Sequence, residues 1–390
     1  MRWIFAESAN PAEMAYRNRT FGAIDAWWRA FQGKTTDLDA LFHRKSEWDL
    51  PRWMHDHLGA VDPGLMWEYG QAVRQPGHRL VITPEQRKWL RPVVRSLLER
   101  APKIPGWEFY PHRLPEDAPM AIQMVQARVG VNVTGAMISA SVAPGRKIDL
   151  EYTFPQRLDE QTANQAAFVA TETLMGEYVL DTWIGGIGVA DGQPGQRPLP
   201  MERAQATVGA LVRSIQDQLP QAKMHDLSVG SEWANIELSP EPADDYSGRS
   251  DLLVASTQSV ELFRAAHCGM IFTSSCHSRF GEQFCYLKLD GSDVPREKFV
   301  DFRSQFEDQL DPALTQPGVG CCVGGGSGLR YSYIDLALTD VNAAIPIIRQ
   351  VLASQRAPLR SWLLFFDDEL SHEWVGIYAT TPEPPLPAEE

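Results

Sequence analysis

Apolar positions change their spacing repeatedly along this 390-residue chain, and each change marks an element. Between residues 15 and 75 the spacing is helical, with Trp27, Trp28 and Phe31 in one stripe and Leu38, Leu41 and Phe42 continuing it. From His78 the pattern becomes strand-like in HRLVIT, and Thr83-Pro84-Glu85-Gln86 then offers an N-cap, a first-turn proline and a capping-box glutamine. The stripe Trp89, Leu90, Val93, Val94, Leu97 and Leu98 predicts a helix running to Arg100, kinked or divided at Pro92. A short strand (GWEFYPHRL), a short helix (MAIQMVQARVG) and a hairpin turning through Ala143-Pro144-Gly145-Arg146 follow. A helix over about Asp159 to Met175 stops at Gly176, before the strand YVLDTWIGGIGVAD. One more amphipathic helix, MERAQATVGALVRSIQDQL, and the strand WANIELSP complete this half.

Residues 240–249, PEPADDYSGR, are polar and have no apolar period, which marks a linker. After them FCYLKLDG reads as a strand, and Phe299, Phe302, Phe306 and Leu310 form one face of a helix. A glycine run then feeds the strand LRYSYIDLAL, Asp340 caps VNAAIPIIRQVLAS, and SWLLFFDD with EWVGIYA closes as a hairpin. The order is βαββαβ plus one strand, that of ferredoxin-like folds. The expected architecture is therefore α+β: a helical N-terminal cap (1–77), a first ferredoxin-like sandwich (78–239), a linker (240–249) and a second such sandwich (250–390) in tandem.

Charge narrows the function. A net charge of −14 and a pI near 5.2, with no basic stripe, oppose nucleic-acid binding. No stretch approaches the roughly 18 apolar residues of a membrane span, and no secretory leader is visible, so a cytoplasmic location is expected. Five cysteines, two of them adjacent at Cys321 and Cys322, argue against a disulfide framework.

The glycine run Gly324, Gly325, Gly326, Ser327, Gly328 fits no phosphate-binding fingerprint, because no Lys-Ser/Thr follows it and its GxGxxG frames end on Leu329 or Tyr331. The cluster Gly185-Gly186-Ile187-Gly188 fails in the same way. In the next strand, alternation puts Tyr331, Tyr333 and Asp335 on one face with Arg330 nearby, and Ser332, Ile334, Leu336 and Leu338 on the core face. The first face is expected to be exposed or half-exposed, as either a binding surface or a cross-strand pair on a solvated sheet. His55 and His57, two apart on a helix, point to different faces. Cys268, Cys276, His277 and Cys285 have the ligand types of zinc but not its short spacing, and Cys276 beside His277 cannot converge on one strand. Asp367, Asp368, Glu369, His372 and Glu373 read as a solvated hairpin tip. No GxSxG or HExxH is present, and no catalytic residue, metal or cofactor is expected.

The blocks APKIPGWEFYPHRLP, LMGEYVLDTWIGGIGV, FCYLKLDG and VGGGSGLRYSYIDLAL, with the closing FFDD and WVGIY, together resemble a family of uncharacterised bacterial cytoplasmic proteins over about residues 20 to 380. That resemblance implies no catalytic residue. The C-terminal part also resembles, by topology and acidity alone, the ferredoxin-like domains of bacterial ribonuclease-regulator proteins. The expected function is a non-catalytic protein-interaction or regulatory module, with another protein as partner and Gly324–Gly328, Arg330, Tyr331, Tyr333 and Asp335 as its surface. The alternative is an enzyme or small-molecule binder with a site in an inter-domain cleft where the two glycine stretches and Asp335 meet.

Overall fold

The computed structural model describes residues 1–190, 197–227, 233–267, 269 and 271–385. It is a mixed α+β structure that divides into two compact units, Met1–Leu114 and Pro115–Glu390.

In the first unit, Asn10 accepts the N–H groups of Ala12 and Glu13 and starts helix α1 (Pro11–Phe42). Asp49 does the same for α2 (Leu50–His57). Strands β1 (Met66–Gln71) and β2 (His78–Thr83) form an antiparallel hairpin, and β3 (Trp107–Tyr110) joins β2 in parallel after helix α3 (Arg91–Glu99). Trp27, Trp28 and Phe31 of α1 share a core with Leu80, Ile82 and Trp107 of the sheet, so the aromatic stripe is the buried face of the helix and this sheet is what it covers. The N-terminal helices are one layer of a unit with its own sheet. Pairing of His78–Thr83 with Met66–Gln71 carries the expected boundary at 77/78 forward to 114/115. Helix α3 also starts later than Thr83-Pro84 suggested. Thr83 ends β2, its Oγ1 accepting the Glu85 N–H, and Pro92 falls in the first turn of α3, where its missing N–H costs nothing.

The second unit opens with α4 (Ala118–Val129), ended by Gly130 at φ 84°. Strands β4 (Met137–Ala143) and β5 (Lys147–Thr153), helix α5 (Glu160–Trp183), β6 (Ile184–Val189), β7 (Leu199–Pro200) and α6 (Ala204–Asp217) follow. Their sheet has the order β6-β5-β4-β7, and small residues of the helices, Ala121, Ala166, Ala167 and Ala170, pack with Ile138, Ile148, Leu150 and Tyr152. Gly176 interrupts α5 at φ 67°, yet the helix resumes and carries Trp183 into this core, so YVLDTW is helical and not a strand. Strands of 78–110 and strands of 137–189 thus belong to two different sheets, and the element order expected for a first ferredoxin-like sandwich is not gathered on one sheet.

The remainder builds a seven-stranded sheet. Its elements are β8 (Ala234–Glu237), β9 (Leu252–Thr257), α7 (Val260–His267), β10 (Gln283–Asp290), α8 (Phe299–Thr315), β11 (Gly320–Gly328), β12 (Tyr331–Leu338), α9 (Val341–Ser354), β13 (Ser361–Phe365) and β14 (Trp374–Gly376). Strand order is β14-β13-β10-β12-β11-β9-β8, with antiparallel pairing throughout. Helix α8 packs on β11 and β12 and against α9. The glycine run, expected as a link into the central strand, is itself strand β11, held between β9 and β12. Glycine is required there by close approach: a Cβ at Gly326 would collide with the Val254 carbonyl oxygen of β9.

Candidate functional site

Strand β12 alternates as its sequence predicts, but both of its faces are buried. Tyr331 and Tyr333 are 0% exposed and Asp335 is 3% exposed, which corrects the expectation of an accessible face. The cover comes from Asp245, Arg249 and Asp251, the first two within the stretch 240–249 whose polar composition marks a linker and the third just beyond it. Asp245 accepts the Tyr331 hydroxyl (2.6 Å), Tyr333 donates to Asp251, and Arg249 Nη1 donates to Asp335 Oδ1 (2.7 Å). Asp251 Oδ2 accepts the main-chain N–H groups of Arg330 and Tyr331, both at 2.9 Å, and lies where a side chain on Gly328 would stand. Arg330 pairs with Asp290 at 3.1 Å. The Arg249 guanidinium lies over the rings of Tyr286, Tyr333 and Phe366 at 5.6, 5.2 and 5.6 Å.

The chemistry of this network is mutual satisfaction. Burial pushes Asp335 up while Arg249 pulls it down, and burial pushes the Tyr331 and Tyr333 phenols above their ordinary range, so both remain hydrogen-bond donors. Lys288, fully buried, sits 4.0 Å from the Tyr331 ring centroid and donates to the Tyr246 carbonyl; desolvation brings its ammonium down to about 8. Arg330, Tyr331, Tyr333 and Asp335 are therefore brought together as a latch holding 244–251 on the sheet.

The other sequence candidates separate. Cys276 lies in a 3-10 turn, its thiol donating to the Thr182 carbonyl (3.1 Å) and pushed up by burial to about 11. The His277 ring stacks on Phe272 and meets Arg146 through Nδ1 (3.3 Å), so thiol and imidazole have separate partners. Among the described residues no group of three or more His, Cys, Asp and Glu could hold a metal ion, and Cys268 lies outside the described residues. Asp367 is buried and accepts from the Ser274 N–H (2.8 Å) and hydroxyl (2.5 Å), which corrects its reading as part of a solvated tip. Gly185 and Gly186 abut Asp149 in the four-stranded sheet, whereas Gly324–Gly328 belong to the seven-stranded one, so the two glycine stretches do not share a strand pair.

Burial lowers His277 to about 3 and His267 to about 4. Each folded value lies below that of the unfolded chain, so unfolding takes up protons and stability falls as pH drops from about 6.5 towards those values. Burial raises Asp367 to about 6, which has the opposite sign: its contribution improves as pH falls below that value. The histidines cover the wider interval. From pH 7 to about pH 5 the thermal midpoint is expected to fall, with His277 contributing about 2 kcal/mol. Thermal melts of His277→Phe across this range check it, since the variant should show a flatter profile.

A different region is open. Between β9 and α8 lies a cavity of about 470 Å³ lined by Leu253, Val254, Phe299, Val300, Arg303 and Ser327, with Glu237, Arg296 and Gly328 also on its wall. Val254 and Val300 are 49% and 59% exposed, well above the usual burial of valine. Of the sequence candidates, Ser327 and Gly328 reach this cavity; Val254, Arg296, Val300 and Arg303 were missed. Their signal was present as a second stripe: 296, 300, 303 and 307 follow steps of four, three and four beside the phenylalanine face of α8.

Strand β8 ends the sheet beside this cavity. The Leu238 N–H bonds the Leu253 carbonyl (2.8 Å), so Ala234, Ile236 and Leu238 face β9 with their main chain. Asn235 and Glu237 consequently turn their N–H and C=O groups to the outer edge, where no strand pairs among the described residues. No helix among the described residues is long and apolar enough to cross a membrane. No family model, no curated protein and no solved structure matches the chain.

Proposed function

We propose that the chain is a non-catalytic interaction module, and that its docking surface is the open end of the seven-stranded sheet and not the tyrosine face of β12. A partner protein contributes an extended segment that pairs with the outer edge of β8 and lays side chains on Val254 and Val300. The single observation carrying this reading is the outer edge of β8, which no strand among the described residues pairs, next to a cavity walled by exposed valines. The strand order β13-β10-β12-β11 supports reading this part as a ferredoxin-like βαββαβ unit extended by β9 and β8.

Photocrosslinking in the native cell tests it. A photoreactive phenylalanine analogue at Val254 or Val300 should give one discrete protein adduct, and the same group at Val142, 53% exposed on β4, should give none. Equal labelling from all three positions, or none from Val254 and Val300, would overturn the reading.

A further inference from the structure

The polar groups of the β9–α8 cavity have donors to spare. The Arg303 side chain is only 16% exposed and pairs through Nε with Glu307 at 3.0 Å, which leaves its two Nη groups without a hydrogen bond among the described residues. Burial pushes the Glu307 carboxyl up while Arg303 pulls it down, so this pair occupies one edge of the guanidinium and leaves the fork of the other two nitrogens to an incoming acceptor. The Ser327 hydroxyl is buried on the same wall with no hydrogen-bond partner among the described residues. Arg296 is exposed and lines the cavity without a carboxylate partner among the described residues. Opposing these, one carboxylate on the wall, Glu237, is exposed. The remaining surface is apolar: Leu238, Leu253, Val254, Ala255, Phe299 and Val300. A buried donor without a partner is destabilising, so an acceptor entering here recovers that cost.

We infer that this cavity binds a carboxylate carried on an apolar body. The carboxylate accepts from Arg303 and Ser327, with Arg296 adding charge, while the body lies on Val254, Phe299 and Val300. Guanidinium presents the planar fork that carboxylate geometry matches, and the cavity volume of about 470 Å³ admits one small ligand or the last residues of a chain. Two sources offer this chemistry: the free C-terminus of a partner protein ending in apolar residues, and a free organic acid. The first rests on the docking reading above; the second does not.

Calorimetric titration separates them, using octanoate and the tripeptide acetyl-Val-Val-Leu with a free C-terminus as probes, and octanol and the tripeptide amide as uncharged controls. An acid should bind at least about tenfold more tightly than its control. Arg303→Met should weaken the acid by about tenfold and Arg296→Met by about threefold. Val300→Glu, at an exposed position that folding tolerates, should block binding by filling the wall with a like charge while leaving the thermal midpoint unchanged. If the tripeptide binds about tenfold more tightly than octanoate, the carboxylate site and the docking of a partner segment both stand. If octanoate alone binds, the carboxylate site stands and the docking reading fails. Equal binding of acids and controls, unchanged affinity in Arg303→Met and Val300→Glu, or no binding of either acid overturns the inference.

Discussion

Arg249→Met should destabilise the unit Pro115–Glu390 by about 3–5 kcal/mol, because it leaves the Asp335 carboxylate buried without its counter-charge. Asp335 is 3% exposed, and among the described residues the cation paired with it is Arg249, with Nη1 at 2.7 Å, Arg303 acting on it only as a more distant charge. The sign of the pH dependence follows. Without Arg249 the folded carboxyl is raised further above its unfolded value, so stability is present at low pH and lost as pH rises through the folded value. The variant should therefore be closer to wild type near about pH 4 than near about pH 8. The double variant Arg249→Met with Asp335→Leu should recover most of the loss, since an apolar pair of similar volume often replaces a buried ion pair at little cost. Urea unfolding of the wild type and the two variants at both pH values checks this. A loss below about 1 kcal/mol in Arg249→Met would mean that the latch does not hold the sheet as described.

Gly326→Val should cost about 3 kcal/mol, the upper range for forcing volume into a packed site. A Cβ at Gly326 would strike the Val254 carbonyl oxygen, with the Leu252 Cδ1 at 2.6 Å and the Ala255 Cα at 3.2 Å. Backbone atoms of β9 form most of that wall, so relief requires moving the strand. Because Val254 also lines the cavity, the variant should widen or close the binding region as well as lower the melting temperature. Thermal unfolding checks the first effect, and titration with the acid probes checks the second. Gly188 makes the useful contrast. Its Cβ would meet nothing within 4 Å, so Gly188→Ala should stay within about 0.5 kcal/mol of wild type.

Much of the seven-stranded sheet was legible because its periods are strong. FCYLKLDG, YSYIDLAL and SWLLF are strands, the phenylalanine stripe is helix α8, and the alternation of Tyr331, Tyr333 and Asp335 against Ile334, Leu336 and Leu338 holds residue by residue. The exposure of that face was not legible. Its cover comes from Asp245, Arg249 and Asp251, some eighty positions earlier in the chain, and their polarity imitates a linker until their partners are seen. Local pattern carries no information about which distant polar groups satisfy one another. The glycine strand was hidden for a related reason. Glycine is depleted in strands, and its requirement at Gly326 and Gly328 is set by the Val254 carbonyl and the Asp251 carboxylate of other segments.

Sheet membership was the other gap. HRLVIT and KIDLEYTF look alike as strand signals, yet one pairs with Met66–Gln71 and the other with Met137–Ala143. Register and partner choice depend on burial against helices that the strand sequence does not contain. The cavity residues were missed because Arg296, in the turn before α8, and Val300 and Arg303, flanking its aromatic stripe, are a mixed polar and apolar border with no pattern of their own. A valine between two arginines on a helix reads as an ordinary solvated face until an uncovered strand is found beside it.

The most direct test of the docking reading is amide exchange at the β8 edge, measured by NMR on the protein alone and with the cross-linked partner's segment added. Asn235 and Glu237 turn their N–H groups outward, whereas Ile236 already faces β9. Strand addition predicts that exchange at Asn235 and Glu237 slows by at least about tenfold on binding, with Ile236 little changed. Unchanged exchange at Asn235 and Glu237 in a saturated complex would contradict it.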